Sequence, residues 1–207
     1  MVLLGVTAAL VAGVAIVGEA GPVSAAPMRF KDRQVTKVSA DGWKVTAVKS
    51  GEQLSVVHPL DNASTSKEGF LSLRGAGEIS GAGTSPVLSG TVTTGFQISC
   101  GGRLDSGTVG ISAGPTAQFS ASWPPAAVIG AQAMGNISAN LRPGSIETVV
   151  LGSRPMAGKR AGISVNGVEI RVSGCISTVA IRSYTTVAIQ TGEEDTTVNV
   201  YGKAHVL

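Results

Sequence analysis

The sequence predicts an all-β fold, an antiparallel β-sandwich with one long β-hairpin inserted into it. Three observations carry this. Period-two alternation of apolar and polar residues recurs after residue 26, whereas helical periodicity is hard to find there. Turn signals such as Asp41-Gly42, Asn166-Gly167 and the polar stretch 192–195 separate short runs at regular spacing. The composition fits as well: 28 Gly with only 14% charged and 4% aromatic residues, against about 25% charged in an ordinary soluble domain. Many Gly, Ser and Thr suit strands and tight turns, and suit a surface that does not all face water.

The chain opens on something other than fold. Residues 2–17 form an uncharged apolar run, followed by Glu19, Gly21 and Pro22. Ser24 and Ala25 then supply the small residues of a signal-peptidase site, so residues 1–25 are expected to be a signal peptide cleaved after Ala25. The run is short for a spanning helix, which needs about 20 residues, although an uncleaved anchor is the competing reading. No Lys or Arg precedes it, so translation is expected to start upstream of Met1. The whole chain carries a formal charge of +3; loss of Glu19 leaves 16 bases against 12 acids, or +4. That charge is spread along the chain with no basic block and interleaved aromatics, so nucleic acid is not an expected partner.

The first expected strand starts after Asp41-Gly42, where Trp43, Val45 and Ala47 alternate with Lys44 and Thr46. Residues 54–67 read as irregular, with a helical turn near 64–69. Residues 69–73 and 78–79 are short strand candidates. Residues 87–99 form a longer one, in which Val92, Thr94, Phe96 and Ile98 share a face. Toward the C-terminus, 162–165 and 168–172 flank Asn166-Gly167, which supplies the positive φ angles of a two-residue hairpin turn. Strands at 176–181, 184–190 and 196–201 complete the set. Regular short antiparallel strands favour a sandwich over a parallel sheet.

Cys100 and Cys175 each follow a strand-like run and sit beside Gly. In an exported chain such a pair usually bridges, so a disulfide closing a long loop is expected, with two buried free thiols as the alternative. Two cysteines with only His58 and His205 make a poor metal set, and no cofactor or metal is expected.

The most informative segment is 106–141, which contains no Asp, Glu, Lys, Arg or His. On its first arm Ile111, Ala113, Pro115, Ala117, Phe119, Ala121 and Trp123 are apolar, while Ser112, Gly114, Thr116, Gln118, Ser120 and Ser122 are polar or Gly. Trp123-Pro124-Pro125-Ala126 breaks the run. On the return Ile129, Ala131, Ala133, Ile137, Ala139 and Leu141 are apolar, and Gln132, Asn136, Ser138 and Asn140 polar; Val128 and Met134 break the rule. Strand side chains alternate between faces, so each arm has one apolar and one polar face.

A soluble hairpin can do this too, but its water-facing side usually carries Lys or Glu. Alternation over about 10 residues between turns is the signature of a membrane barrel strand. Trp123 suits a membrane interface. One hairpin leaves unpaired backbone groups on its outer edges, and in hydrocarbon only a closed barrel removes them. The smallest such barrels have about eight strands, which at two strands per chain requires about four chains or more. The expected lumen-facing residues are Ser112, Thr116, Gln118, Ser120 and Ser122 on one arm and Gln132, Asn136, Ser138 and Asn140 on the other. Neutral hydroxyls and amides suit weakly selective passage of ions and polar solutes, with Asp105 and Arg142 flanking the mouth.

Other motifs weigh less. Gly110-Ile111-Ser112-Ala113-Gly114 fits G-x-S-x-G, and Asp195 and His205 follow in hydrolase order. That motif needs a strand, a sharp turn and a helix to expose the serine, whereas Ser112 lies inside an alternating run. Glu193-Glu194-Asp195 could hold a cation but reads more simply as a solvated turn. Asn62-Ala63-Ser64 and Asn136-Ile137-Ser138 match a glycosylation pattern that is common by chance.

Several stretches together resemble the MspA-type porins of mycolic-acid bacteria. They are 59–61 through Gly95-Phe96-Gln97-Ile98, Ile137-Ser138-Ala139-Asn140-Leu141-Arg142-Pro143-Gly144, and 162–202 with Thr191-Gly192, Asp195 and Tyr201-Gly202. The resemblance rests on order and spacing, since none of these is a catalytic motif, and it covers most of the mature chain. It implies a goblet-shaped octamer, in which each subunit gives a sandwich rim and one hairpin to a sixteen-stranded barrel. Such a barrel crosses the mycolic-acid outer membrane and passes small hydrophilic solutes by diffusion; it is not an enzyme. The resemblance implies outer-membrane lipid and other copies of the chain, or a paralogous subunit, as partners. On this reading 26–207 is the porin subunit, with the rim sandwich at 26–105 and 142–207 and the barrel hairpin at 106–141. The chain departs from the family's best-known members in lacking acids between 106 and 141, in a hairpin roughly ten residues shorter, and in its cysteine pair. A secreted sandwich module that binds a partner or the envelope, without forming a pore, is the alternative.

Overall fold

The computed structural model describes residues 26–102, 109–114, 137–141 and 145–207, and for 109–114 and 137–141 it gives backbone path and pairing. The expected signal peptide, and the lumen-facing candidates Thr116, Gln118, Ser120, Ser122, Gln132 and Asn136, lie outside the described residues, as do Asp105 and Arg142.

The described strands form two antiparallel sheets, and the fold of the described residues is all-β. The first sheet contains β1 (Met28–Arg29), β2 (Arg33–Val38), β3 (Lys44–Val57), β4 (Lys67–Ser80), β6 (Val109–Gly114), β7 (Ile137–Leu141) and β9 (Arg160–Val172). Its order is β1-β3-β4-β9-β6-β7, and β2 also pairs with β3. The second holds β5 (Val87–Cys100), β8 (Ile146–Pro155), β10 (Val179–Thr191), β11 (Asp195–Tyr201) and β12 (His205–Val206), in the order β11-β10-β5-β8 with β12 also on β10.

The core lies between the sheets. The face predicted for β5 is the inward one: Val92, Thr94, Phe96 and Ile98 are all buried. Opposite them stand Val45, Leu54, Leu73 and Ile170, and Val187 and Val198 close the layer. The sheets approach so closely at β4 that a Cβ on Gly77 would meet the Val92 and Val187 methyls at 2.7 and 2.9 Å. The small residues there therefore reflect packing distance rather than a turn.

Four sequence expectations are corrected. Asn166-Gly167 is not a hairpin turn: 160–172 is one strand, and the pair forms a β-bulge opposite Ser72, since Leu71 pairs with Val168 and Leu73 with Val165. Gly167 has φ +60° and donates its N–H to Ser72 Oγ at 2.8 Å. The same positive φ serves a tight turn or a bulge, and the long unbroken partner β4 selects the bulge. The short candidates at 69–73 and 78–79 are likewise one strand, β4, whose middle is masked by Gly75 and Gly77. Residues 54–57 belong to β3 and 67–69 to β4, so the irregular stretch narrows to 58–66, where i→i+3 bonds close turns at 59–62 and 63–66 and no helix forms. Strands expected at 176–181 and 184–190 merge into β10, with Ile176 left outside it and exposed.

Candidate functional site

The hairpin is rooted where the two sheets end together. The segment leaves β5 of the second sheet at Cys100, enters the first sheet as β6, returns as β7, and rejoins the second sheet as β8. β6 lies beside the end of β9, with Ile111 opposite Val172, Ser112 opposite Arg171, Ala113 opposite Ile170 and Gly114 opposite Glu169. On its other side β6 pairs with β7 in a register that sets Val109 against Leu141, Gly110 against Asn140, Ile111 against Ala139, Ser112 against Ser138 and Ala113 against Ile137.

This register has a chemical consequence. Directly paired residues share a face of an antiparallel ladder. Odd-numbered positions therefore meet odd-numbered ones, apolar with apolar, and Ser112 and Ser138 fall together on the other face with Gly110 and Asn140. A slip of one residue would mix the two sets. The β9 register extends both faces into the sandwich. Positions 111 and 113 lie on the face whose β9 members, Val172 and Ile170, are fully buried, and 112 and 114 on the face of Arg171 and Glu169.

The polar face meets the sandwich at one arginine set between two acids. Arg171 Nη2 donates to Glu68 Oε2 at 3.1 Å, and Arg171 Nε lies 4.0 Å from Glu169. The hydrogen bond to Glu68 is the main reason the guanidinium is raised above its ordinary pKa, against the opposing effect of burial. Glu68 Oε2 also accepts the Leu60 N–H at 3.1 Å, which ties the 58–66 loop to the same point. Within that loop Asp61 accepts the Ser66 hydroxyl at 2.7 Å and the Ala63 N–H at 3.1 Å. These bonds, the hydroxyl first, hold its carboxyl below the ordinary value.

The expected disulfide is formed. Cys100, the last residue of β5, bonds Cys175, which follows β9, across a Cα–Cα distance of 6.1 Å and 75 residues of chain. It joins the two sheets at the end from which the hairpin departs. Cys175 N donates to Thr65 O at 3.0 Å, so the loop, the bridge and β9 form one unit. The surface at this end is apolar in places: Leu60, Ile146 and Ile176 are 86%, 61% and 55% exposed.

The sequence pattern located the alternating arms but not the Glu68–Arg171 pair at their base. The only available signal was the charge pattern Glu169-x-Arg171 near the end of a strand. Of the hydrolase-ordered residues, Ser112 sits within β6, Asp195 begins β11, and His205 stacks on Phe30 at a ring-centroid distance of 4.1 Å. The nucleophile-elbow context is therefore not built at Ser112. Glu194 accepts the Ala40 N–H at 2.6 Å and Glu193 the Ser85 hydroxyl at 2.6 Å, so these two acids pin loops. Among the described residues no three His, Cys, Asp or Glu side chains converge as a metal set. No helix among them is long and apolar enough to cross a membrane, which leaves a strand-built crossing untouched.

Residues 41–205 match the family described as MspA. The matched span includes both cysteines and the whole of the uncharged segment. Among curated proteins no match is found.

Proposed function

This chain belongs to the MspA family, a family of oligomeric outer-membrane porins, and on that premise we propose that it is one subunit of a β-barrel channel passing small hydrophilic solutes and ions. Each subunit contributes the hairpin 106–141 to the barrel, and the sandwich 26–105 and 142–207 forms the rim. Ser112, Thr116, Gln118, Ser120, Ser122, Gln132, Asn136, Ser138 and Asn140 line the lumen, and the odd-numbered apolar residues face lipid. Residues 1–25 direct export and are removed after Ala25.

The observation that carries this reading is the β6–β7 register, which pairs apolar with apolar and polar with polar at the root. Continued without a break, it centres the hairpin on Pro125, inside the Trp123-Pro124-Pro125-Ala126 turn signal. Strand pairing satisfies the backbone groups between the two arms, and assembly with further hairpins satisfies the outer edges, as a crossing of hydrocarbon requires. With no acid or base between 106 and 141, the lumen offers hydroxyl and amide groups, which favour weak selectivity.

The test is conductance of the purified protein in a planar bilayer, alone and mixed with any paralogous subunit from the same source. Discrete, weakly ion-selective channels are expected. Absence of channels under both conditions, together with a monomer by size-exclusion chromatography, overturns the proposal in favour of a non-porous binding module.

A further inference from the structure

A basic cleft lies at the other edge of the first sheet, away from the hairpin strands, and the porin reading makes no use of it. It is built by a bulge. In β3, Val45, Ala47 and Lys49 point inward, and after Gly51, at φ +60°, the inward set changes to Glu52 and Leu54. Lys49 and Glu52 are consequently both buried, at 1% and 5% side-chain exposure, and form an ion pair. Ser183 of β10 donates its hydroxyl to the same carboxylate. This pair floors a cavity of about 270 Å³ lined by Arg29, Phe30, Lys31, Arg33, Lys203 and His205.

The charges around it are unbalanced. Glu52 is committed to Lys49 and Ser183, and the nearby Asp32 accepts the Gly51 N–H at 2.9 Å. Arg29, Lys31, Arg33 and Lys203 have no carboxylate within ion-pair distance among the described residues, and all four are exposed. Counted together, five cations face two acids here, a balance of +3, which equals the formal charge of the entire chain. A second observation is independent of charge. His205 Nε2 is buried and has no hydrogen-bond partner among the described residues, while its ring packs at a 35° tilt against Phe30. A buried polar atom without a partner is uncommon and costly.

We propose that this cleft binds a phosphate or phosphate-ester group. Two guanidinium forks and two ammonium groups provide more donors than one carboxylate can accept, and a tetrahedral dianion uses several at once. A cleft with low-dielectric walls and one sign of charge concentrates such an anion. The cavity accommodates a headgroup-sized ligand, and the shared chemistry covers both a lipid headgroup and a free phosphate ester. The proposal stands whether or not the chain forms a pore.

The test uses the purified full chain at low salt, with inorganic phosphate and glycerol phosphate as soluble probes in titration calorimetry. Phosphatidylcholine vesicles with and without phosphatidic acid serve as the membrane probe in co-sedimentation. Saturable binding is expected, weakened about tenfold or more in Lys31→Ala/Lys203→Ala. The charge-matched variant Lys37→Ala/Lys44→Ala, outside the cleft, should stay within about twofold of the parent. Retention on phosphatidic acid vesicles that is lost in the cleft variant assigns a lipid headgroup, and saturation by glycerol phosphate without vesicle retention assigns a soluble ester; either supports the site. No saturable binding of any probe, or equal loss in both variants, overturns it.

Discussion

Ser112 of β6 stands directly opposite Ser138 of β7, and on its other side opposite Arg171 of β9. One register thus sets both the pairing at the root of the hairpin and its connection to the sandwich. It can be tested directly. Ser112→Cys/Ser138→Cys should cross-link on mild oxidation, whereas Ser112→Cys/Ala139→Cys should not, because adjacent positions lie on opposite faces. Mass spectrometry of non-reduced peptides distinguishes the two.

The proposed faces make opposite demands on neighbouring residues. Ala117→Arg places a charge toward lipid, at a cost of about 2–4 kcal/mol near mid-membrane, and should block assembly. Gln118→Arg places it in the lumen and should assemble with altered ion selectivity. Native gel mobility and bilayer reversal potential provide the two readouts, and identical behaviour of the variants would refute the odd–even assignment.

Loss of the Cys100–Cys175 bridge should lower stability by about 2–5 kcal/mol, the usual range for removal of a native bridge. Cys100→Ser/Cys175→Ser should show this as a lower denaturant midpoint. Under reducing conditions the parent protein should approach the variant.

The buried Lys49–Glu52 pair predicts an asymmetric response. Glu52→Gln leaves the ammonium buried without its countercharge and should cost about 3–5 kcal/mol. Replacing both partners with apolar residues of similar size, as in Lys49→Met/Glu52→Leu, should cost far less. Chemical denaturation of the three proteins measures the difference.

The 58–66 loop should loosen in acid. The Asp61 carboxyl is held below its ordinary value of 3.8, so its ionised form favours the folded state. That contribution is complete above the ordinary value and disappears as the pH falls through the lower, folded one. Asp61→Asn should therefore flatten the acid limb of the stability profile below about pH 4, with little change in its slope near neutrality. Thermal unfolding across pH gives the comparison.

The sequence disclosed the sandwich because inward residues on β5 and β10 alternate over most of their length. It disclosed the hairpin because charge is missing over a continuous window. It was less informative where the backbone breaks its own period. At Asn166-Gly167 and at Gly51-Glu52 one extra residue moves the inward set from odd to even numbers, and a reading by alternation sees an interruption where the strand continues. In the second case the bulge turns a lysine and a glutamate inward, which residue type alone argues against. β2 was invisible for another reason: its six residues are all exposed, so burial imposes no pattern on them. At the hairpin root, Glu68 and Arg171 are 103 positions apart, and only the pairing of β4 with β9 brings them together.

Ser99 is the β5 partner of Ile146, the first residue of β8. The excursion between these strands therefore starts and finishes at adjacent points on one sheet, where an ordinary protein would place a tight turn. Loop-closure entropy grows only slowly with loop length, so residues can be gained or lost there at little cost to Phe96 or Ile181 in the host core. Descent can then alter the reach of the arm without renegotiating the body that carries it. A shorter insert on a preserved sandwich is the kind of divergence such an arrangement permits.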